Sequence, residues 1–219
     1  MITVTAFKWV PDFAQGLVRD LRVRWALEEA GIPYEARLLG EGDPETPEYR
    51  AIQPWGQVPV LEEDGLKLFE SGAILIYLAD RSEALAPKDP AGRAKAIQWV
   101  LAALNSVEPH VQNLVLIDIF YKDEDWAKAR REGQEAFTRM KLSSLAKRLA
   151  GREWLEDRFT IGDLMMATVL RLLRHTDIVT ADPVLGPYLA RCEARPAFQR
   201  ALDAQLAPFA DNAPAFEAA

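Results

Sequence analysis

Two short stretches hold the residues best suited to chemistry. Glu70 and Ser71 directly precede the apolar run Ala73–Leu78. A carboxylate and a hydroxyl therefore stand at the start of a helix, where the first N–H groups attract an anion. Upstream, Val58-Pro59 is an X-Pro pair, the kind of peptide bond that adopts the cis form cheaply. Each residue also has a plainer reading, with Ser71 as a helix cap, Pro59 as a turn former and Glu70 as a solvated side chain.

Other reactive side chains point to structure. Cys192 lies in a late helix between Arg191 and Glu193 and reads as a structural thiol. His110 and His175 are far apart, with no third ligand at metal spacing, so zinc is not expected. Met165-Met166 read as core. Thr160-Ile161-Gly162-Asp163 fits a helix-start box, in which the hydroxyl and carboxylate satisfy orphan N–H groups. No glycine-rich phosphate loop and no Ser/His/Asp grouping emerges from the spacing.

A chain of 219 residues, 49% hydrophobic and 27% charged, is long enough for one domain or two small ones and too apolar for disorder. The net charge of -7 lies wholly in residues 1–80, which hold 7 Lys/Arg against 14 Asp/Glu. An acidic chain without a basic stripe repels phosphate backbones and anionic membrane surfaces, so neither nucleic acid nor membrane is an expected partner. The longest apolar stretch, Ala73–Ala79, is too short to span a bilayer. Met1-Ile2-Thr3-Val4 lacks the features of a secretory leader, and one cysteine cannot form an internal disulfide. The expected location is the cytoplasm.

The elements that must position these residues follow from periodicity. Ile2–Phe7 is β-branched and aromatic, a strand. Leu17–Ala30 reads as an amphipathic helix, with Leu17, Leu21 and Trp25 on one stripe and Arg19, Asp20, Arg22, Glu28 and Glu29 off it. Gly31 caps that helix and Pro33 ends it, so Tyr34–Leu39 is a second strand. Gly40–Pro47 is polar and broken. Residues 54–61 lead into a strand, Glu63-Asp64-Gly65 turns it into Leu66–Phe69, and Ser71 opens a helix. This βαβ-ββα order is the layout of a thioredoxin-like domain over residues 1–80. Residues 81–90 read as a linker. Residues 91–219 read as all-helical, with helices at 91–107, 126–150, 160–175, 184–192 and 196–207 and a loose tail, Ala213–Ala219. The expected fold class is α+β, a thioredoxin-like domain followed by an all-α helical bundle.

Within that layout, residues 53–65 (QPWGQVPVLEEDG) and 69–74 (FESGAI) resemble the glutathione-site signature of the cytosolic glutathione transferases. Arg22–Glu35 is similar to the family's first helix and second strand, and Phe159–Leu164 to the start of its central helix. The resemblance implies glutathione as co-substrate, with the Val58 backbone beside a cis Pro59 on the cysteinyl unit. Ser71 would receive the γ-glutamyl carboxylate, Glu70 its ammonium, and Gln57 the same end of the ligand. It also implies a homodimer, with Trp55 as an aromatic key, and an electrophile pocket to which Trp9, Phe13, Asn105, Pro109 and Tyr121 are candidates by position.

One part of the family pattern is missing. The Tyr, Ser or Cys that activates the thiol after the first strand has no counterpart in residues 8–19 (KWVPDFAQGLVR). A thiol of pKa ~8.5 is about 3% ionised at pH 7 and about 76% ionised if lowered to ~6.5, so a substitute for the hydroxyl matters. The replacements are the Gly16 and Leu17 N–H groups, Gln15 as a neutral donor, or Arg19 as a charge. The implied function is attack of the glutathione thiolate on a small electrophile. Glutathione-dependent disulfide or peroxide reduction is the alternative, and a binding module that kept only the fold is another.

Overall fold

The computed structural model describes residues 1–213, so most of the tail expected to be loose lies outside the described residues. Backbone proximity divides the chain into two compact units, Met1–Arg81 joined by the segment from Pro196 onward, and Ser82–Arg195.

The first unit is built on a four-stranded mixed sheet in the order β2-β1-β3-β4. Strand β1 (Ile2–Phe7) pairs in parallel with β2 (Tyr34–Leu39), Ile2 opposite Tyr34 and Phe7 opposite Leu39. Strand β3 (Val60–Glu63) runs antiparallel to β1 and to β4 (Leu66–Phe69). The two-residue turn between β3 and β4 needs left-handed backbone, which Asp64 (φ 48) and Gly65 (φ 85) supply. Helix α1 (Asp20–Ala30) is the crossover, and Gly31 ends it at φ 65. Helix α2 (Pro47–Arg50) is a single turn capped by the Thr46 hydroxyl, and α3 (Ser71–Ala79) packs against α1. The thioredoxin-like layout read from the sequence is present. A short helix replaces the end of the irregular stretch between β2 and β3.

Two expectations change. Helix α1 begins at Asp20, not Leu17, because residues 12–19 coil into a string of turns such as Leu17 N–H to Ala14 C=O at 2.9 Å. Part of its charged surface is also buried: Asp20 is 1%, Arg22 3% and Arg24 2% exposed, while Arg19, Glu28 and Glu29 are half-buried. The last helix, α9 (Pro196–Asp211), covers Asp20 and Arg24, whereas Arg22 is bonded to Ser71 at the start of α3. Helix α9 lies against α1 and belongs to the first unit, whereas the sequence groups it with the helices of residues 91–219. Trp25 meets Phe198 edge to face at 4.8 Å between ring centroids. Arg24 Nε donates to Asp20 Oδ2 at 2.7 Å, Gln205 Nε2 to Asp20 Oδ1 at 2.6 Å and Arg24 Nη1 to the Ala204 C=O at 3.2 Å. Burial pushes the Asp20 carboxyl up, and Arg24 counters that shift.

The second unit is helical among the described residues: α4 (Pro90–Ala102), α5 (Glu108–Val115), α6 (Asp125–Leu149), α7 (Ile161–Leu170) and α8 (Leu185–Glu193). Wider π turns at Ala103–Val107 and Leu116–Phe120 make α4, α5 and the following turn one continuous helical run, longer than the periodicity indicated. Helix α7 is the axis of this unit, buried from Ile161 to Leu170, Met165 and Met166 included. Gly162 lets α4 come close, since a Cβ there would meet the Trp99 Cβ at 2.5 Å. The helix-start box forms as read: Gly162 N–H donates to Thr160 Oγ1 at 3.1 Å and Thr160 N–H to Asp163 Oδ2 at 3.0 Å. Asp163 Oδ1 also accepts from the Leu155 N–H (2.9 Å) and the Tyr188 hydroxyl (3.0 Å). Burial outweighs these bonds and raises the Asp163 pKa to about 6. Cys192 is buried nearby; burial and the Asp163 charge push its thiol far up, as suits a structural thiol.

The Asp163 shift fixes a pH dependence. The folded state holds this proton up to about pH 6 and the unfolded chain only to about 3.8, so the contribution is complete below pH 4 and lost as pH rises through 6. Urea unfolding of the native chain and Asp163→Asn should show a stability difference that shrinks between pH 4 and 7 by up to about 3 kcal/mol. A difference that grows instead would mean that the three hydrogen bonds dominate burial.

Candidate functional site

The site is assembled from the segment between α2 and β3 and from the junction of β4 with α3. Gln53 is buried, and its side-chain oxygen accepts the Trp55 N–H at 2.7 Å. Gly56 takes φ 63 where a Cβ would come within 2.8 Å of the Pro44 C=O, so the tight loop before the proline requires glycine. The Val58–Pro59 bond is cis, as the signature led us to expect. Val58 and Pro59 are buried, Gln57 is exposed, and Val58 stands outside the β3 ladder, which begins at Val60.

A relay of three hydrogen bonds braces this segment. The Val60 N–H donates to Thr5 Oγ1 at 2.7 Å, and the Tyr49 hydroxyl donates to the Gln57 C=O at 2.7 Å. Thr5 and Tyr49 are joined oxygen to oxygen at 3.0 Å. Since Tyr49 uses its proton on Gln57, Thr5 donates to Tyr49, and one chain of donors runs from residue 60 to residue 57 through β1 and α2. Burial pushes the Tyr49 hydroxyl up and keeps it a donor. Around the relay, Leu39, Tyr49, Val58 and Val60 form a core cluster with Phe7, Val18 and Ile52 against it.

At the other junction, Glu70 is the N-cap and Ser71 the first residue of α3, a reversal of the capping role read for Ser71. Glu70 is exposed and held at φ 67, a conformation that costs a non-glycine residue ~1 to 3 kcal/mol and collects at ligand-binding positions. Ser71 is buried, and Arg22 Nη1 donates to its Oγ at 3.2 Å.

The residues put forward to activate a thiol sit in the loop before α1. Gln15 Nε2 donates to the Val10 C=O and to Asp12 Oδ1, both at 3.2 Å, so its two N–H groups shape the loop. The Leu17 N–H is bonded to Ala14 and lies outside the helix, which removes it as a helix-terminus donor. Arg19 is the N-cap residue of α1. A cavity of about 710 Å³ opens at the carboxyl ends of β1 and β2, lined by Lys8, Trp9, Pro11, Gly40 and Glu45 among others. Trp9 is among its lining residues, whereas Val58, Pro59, Glu70 and Ser71 are not. Of the other pocket candidates, Phe13 is exposed in the first unit, and Asn105, Pro109 and Tyr121 belong to the second, where Tyr121 stacks near Trp126.

Sequence reasoning missed Thr5, Tyr49 and Arg22. Thr46-Pro47, a capping residue followed by proline, is the signal that could have located α2 and hence Tyr49. Nothing in the sequence distinguishes Arg22 from a solvated helix arginine.

This fold and this pair of junctions define a thioredoxin-like ligand-binding unit joined to helices. Residues 13–80 match the family model of the glutathione S-transferase N-terminal domain. The chain is 32% identical to maleylacetoacetate isomerase of Rhizobium meliloti, over 82% of this chain and 89% of that protein. It is 39% identical to the glutathione S-transferase-like protein LUC7 of Fusarium, a match that spans 66% of this chain and only 65% of that protein. A crystal structure of a Burkholderia graminis glutathione transferase, with two glutathione molecules bound per subunit, superposes with a TM-score of 0.80 at 33% identity, covering 92% of this chain and 87% of that one. The chain belongs to the glutathione S-transferase family.

The brace yields a graded expectation. Thr5→Val leaves both the Val60 N–H and the Tyr49 oxygen short of a partner, and should cost ~2 to 3 kcal/mol. Tyr49→Phe removes one donor and should cost ~1 to 2 kcal/mol. Chemical denaturation of the two variants tests the order; equal losses would show that the relay does not run through Thr5.

Proposed function

We propose that the protein binds glutathione at the Pro59 and Ser71 junctions and uses its thiolate to attack a small electrophile. The buried Ser71 at the start of α3, beside the exposed Glu70, is the observation that carries this reading. A carboxylate suits the helix N-terminus, and an ammonium suits Glu70. The Val58 backbone takes the cysteinyl unit, and Gln57 reaches the γ-glutamyl end. In the chemical step the thiolate sulfur forms a bond to an electrophilic carbon, which expels its leaving group with the bonding pair. Similarity to an isomerase over most of its length favours a second form of the same attack. There the sulfur adds to an activated double bond, the adduct rotates, and the thiolate leaves unchanged.

Arg19 is the residue we assign to favour the thiolate. The N–H groups of Gln15 and Leu17 are engaged in the loop, whereas Arg19 brings a full positive charge to the N-cap position of α1. Calorimetry with glutathione should give binding that Ser71→Ala and Glu70→Ala each weaken by ~1 to 3 kcal/mol. Ultraviolet titration of the bound thiol should show its pKa rising by about one to two units in Arg19→Ala, with turnover at pH 7 down roughly tenfold and Gln15→Ala close to unchanged. Thiolate formation only above about pH 8 in the unsubstituted protein would leave a binding module.

We also propose a homodimer. Trp55, next to the cis-proline loop, is 64% exposed, a large apolar side chain suited to a partner pocket. Light scattering should give twice 24.5 kDa, shifting toward a single chain in Trp55→Ala; a monomer at all concentrations would remove this role.

A further inference from the structure

We propose that Arg22 dictates the direction of the Ser71 hydroxyl and so makes it a donor to the γ-glutamyl carboxylate of glutathione. The inference rests on the glutathione reading and adds a positioning residue to it. A guanidinium has donors and no acceptor, so the 3.2 Å contact from Arg22 Nη1 makes Ser71 Oγ the acceptor. The hydroxyl has one proton, and no acceptor for it exists among the described residues. Both side chains are nearly out of water, Arg22 at 3% and Ser71 at 5% exposed. A buried hydroxyl that already accepts from a guanidinium, and whose own proton has no partner, selects an incoming acceptor.

The setting narrows what that acceptor is. Ser71 is the first residue of α3, so the proton is offered where the helix N–H groups already favour an anion. An ammonium cannot take that proton and is repelled by the Arg22 guanidinium beside it, so this position favours the carboxylate and leaves the amine of the same ligand unit to Glu70. The left-handed turn at Glu70, φ 67, separates the two side chains along the chain, one exposed and one buried. Arg22 thereby fixes which way round the γ-glutamyl end is read, although it contacts the ligand only through Ser71.

Direction is testable because lysine and glutamine differ in it. Lysine can only donate, whereas a glutamine amide can also accept and would turn the Ser71 proton inward. The readout is the ratio of dissociation constants for glutathione and for 4-aminobutanoyl-cysteinylglycine, which lacks only the γ-glutamyl carboxylate. The unsubstituted protein should favour glutathione about 10- to 100-fold. Arg22→Lys should keep most of that factor, and Arg22→Gln and Ser71→Ala should each lose most of it. A mere structural link between α1 and α3 would weaken both ligands alike and leave the ratio unchanged, which overturns the inference. So would a Ser71→Ala protein that still discriminates. If the unsubstituted protein binds neither ligand, the glutathione reading fails and takes this inference with it; if it binds glutathione and Arg22→Gln keeps the ratio, this inference fails alone.

Discussion

The first unit depends on one relay, the donor chain from the Val60 N–H through Thr5 and Tyr49 to the Gln57 C=O. It solves a packing problem. The segment entering β3 runs outside the ladder at Val58 and Pro59, yet its polar backbone lies against a core of Leu39, Tyr49 and Val60. Groups excluded from water need partners, and two hydroxyls from β1 and α2 provide them. Each hydroxyl both accepts and donates, so the order of bonds is fixed, and with it the place of the loop relative to the sheet.

Helix α1 carries the same logic to its two sides. Arg22 and Arg24 are two positions apart and so project to roughly opposite faces of the helix. Arg24 turns to α9 and is neutralised by Asp20, itself held by Gln205. Arg22 turns to α3 and Ser71. Asp20, Arg22 and Arg24, which a periodicity argument would leave in water, are therefore dry. The buried charges of α1 form a fastening to α9 on one side and a contact with the first residue of α3 on the other. A buried ion pair such as Asp20–Arg24 adds little net stability once desolvation is counted, but leaving either member alone is costly, so α9 is specified as well as held.

The helical unit is organised around a carboxylate that never reaches water. Asp163 gathers the Leu155 and Thr160 N–H groups and the Tyr188 hydroxyl, so one side chain caps α7 and ties it to α8 and to the segment before it. The close approach of α4 over Gly162 depends on the same turn being fixed.

The strands, the turn at Asp64-Gly65, the start of α7 and the ligand junctions at Pro59 and Ser71 were legible in the sequence. Each depends on neighbours a few residues apart: alternation, a two-residue turn, a capping box, an X-Pro pair before a strand. The role proposed for Arg19 was not legible. The loop before α1 has no hydroxyl, and which of its amides are engaged is decided by turns that no pattern announces. The start of α1, the membership of α9 and the burial of Asp20, Arg22 and Arg24 were equally hidden, because charge on a helix reads as solvent exposure until a second helix covers it. Thr5, Tyr49 and Arg22 act on residues 55, 8 and 49 positions away, respectively. Tyr49 alone left a local trace, in the Thr46-Pro47 cap that precedes it. The sequence by itself determined the elements and the types of group offered to a ligand; tertiary structure decided which hydroxyls donate and which charges are buried, since a proton's direction depends on the partner that folding brings to it.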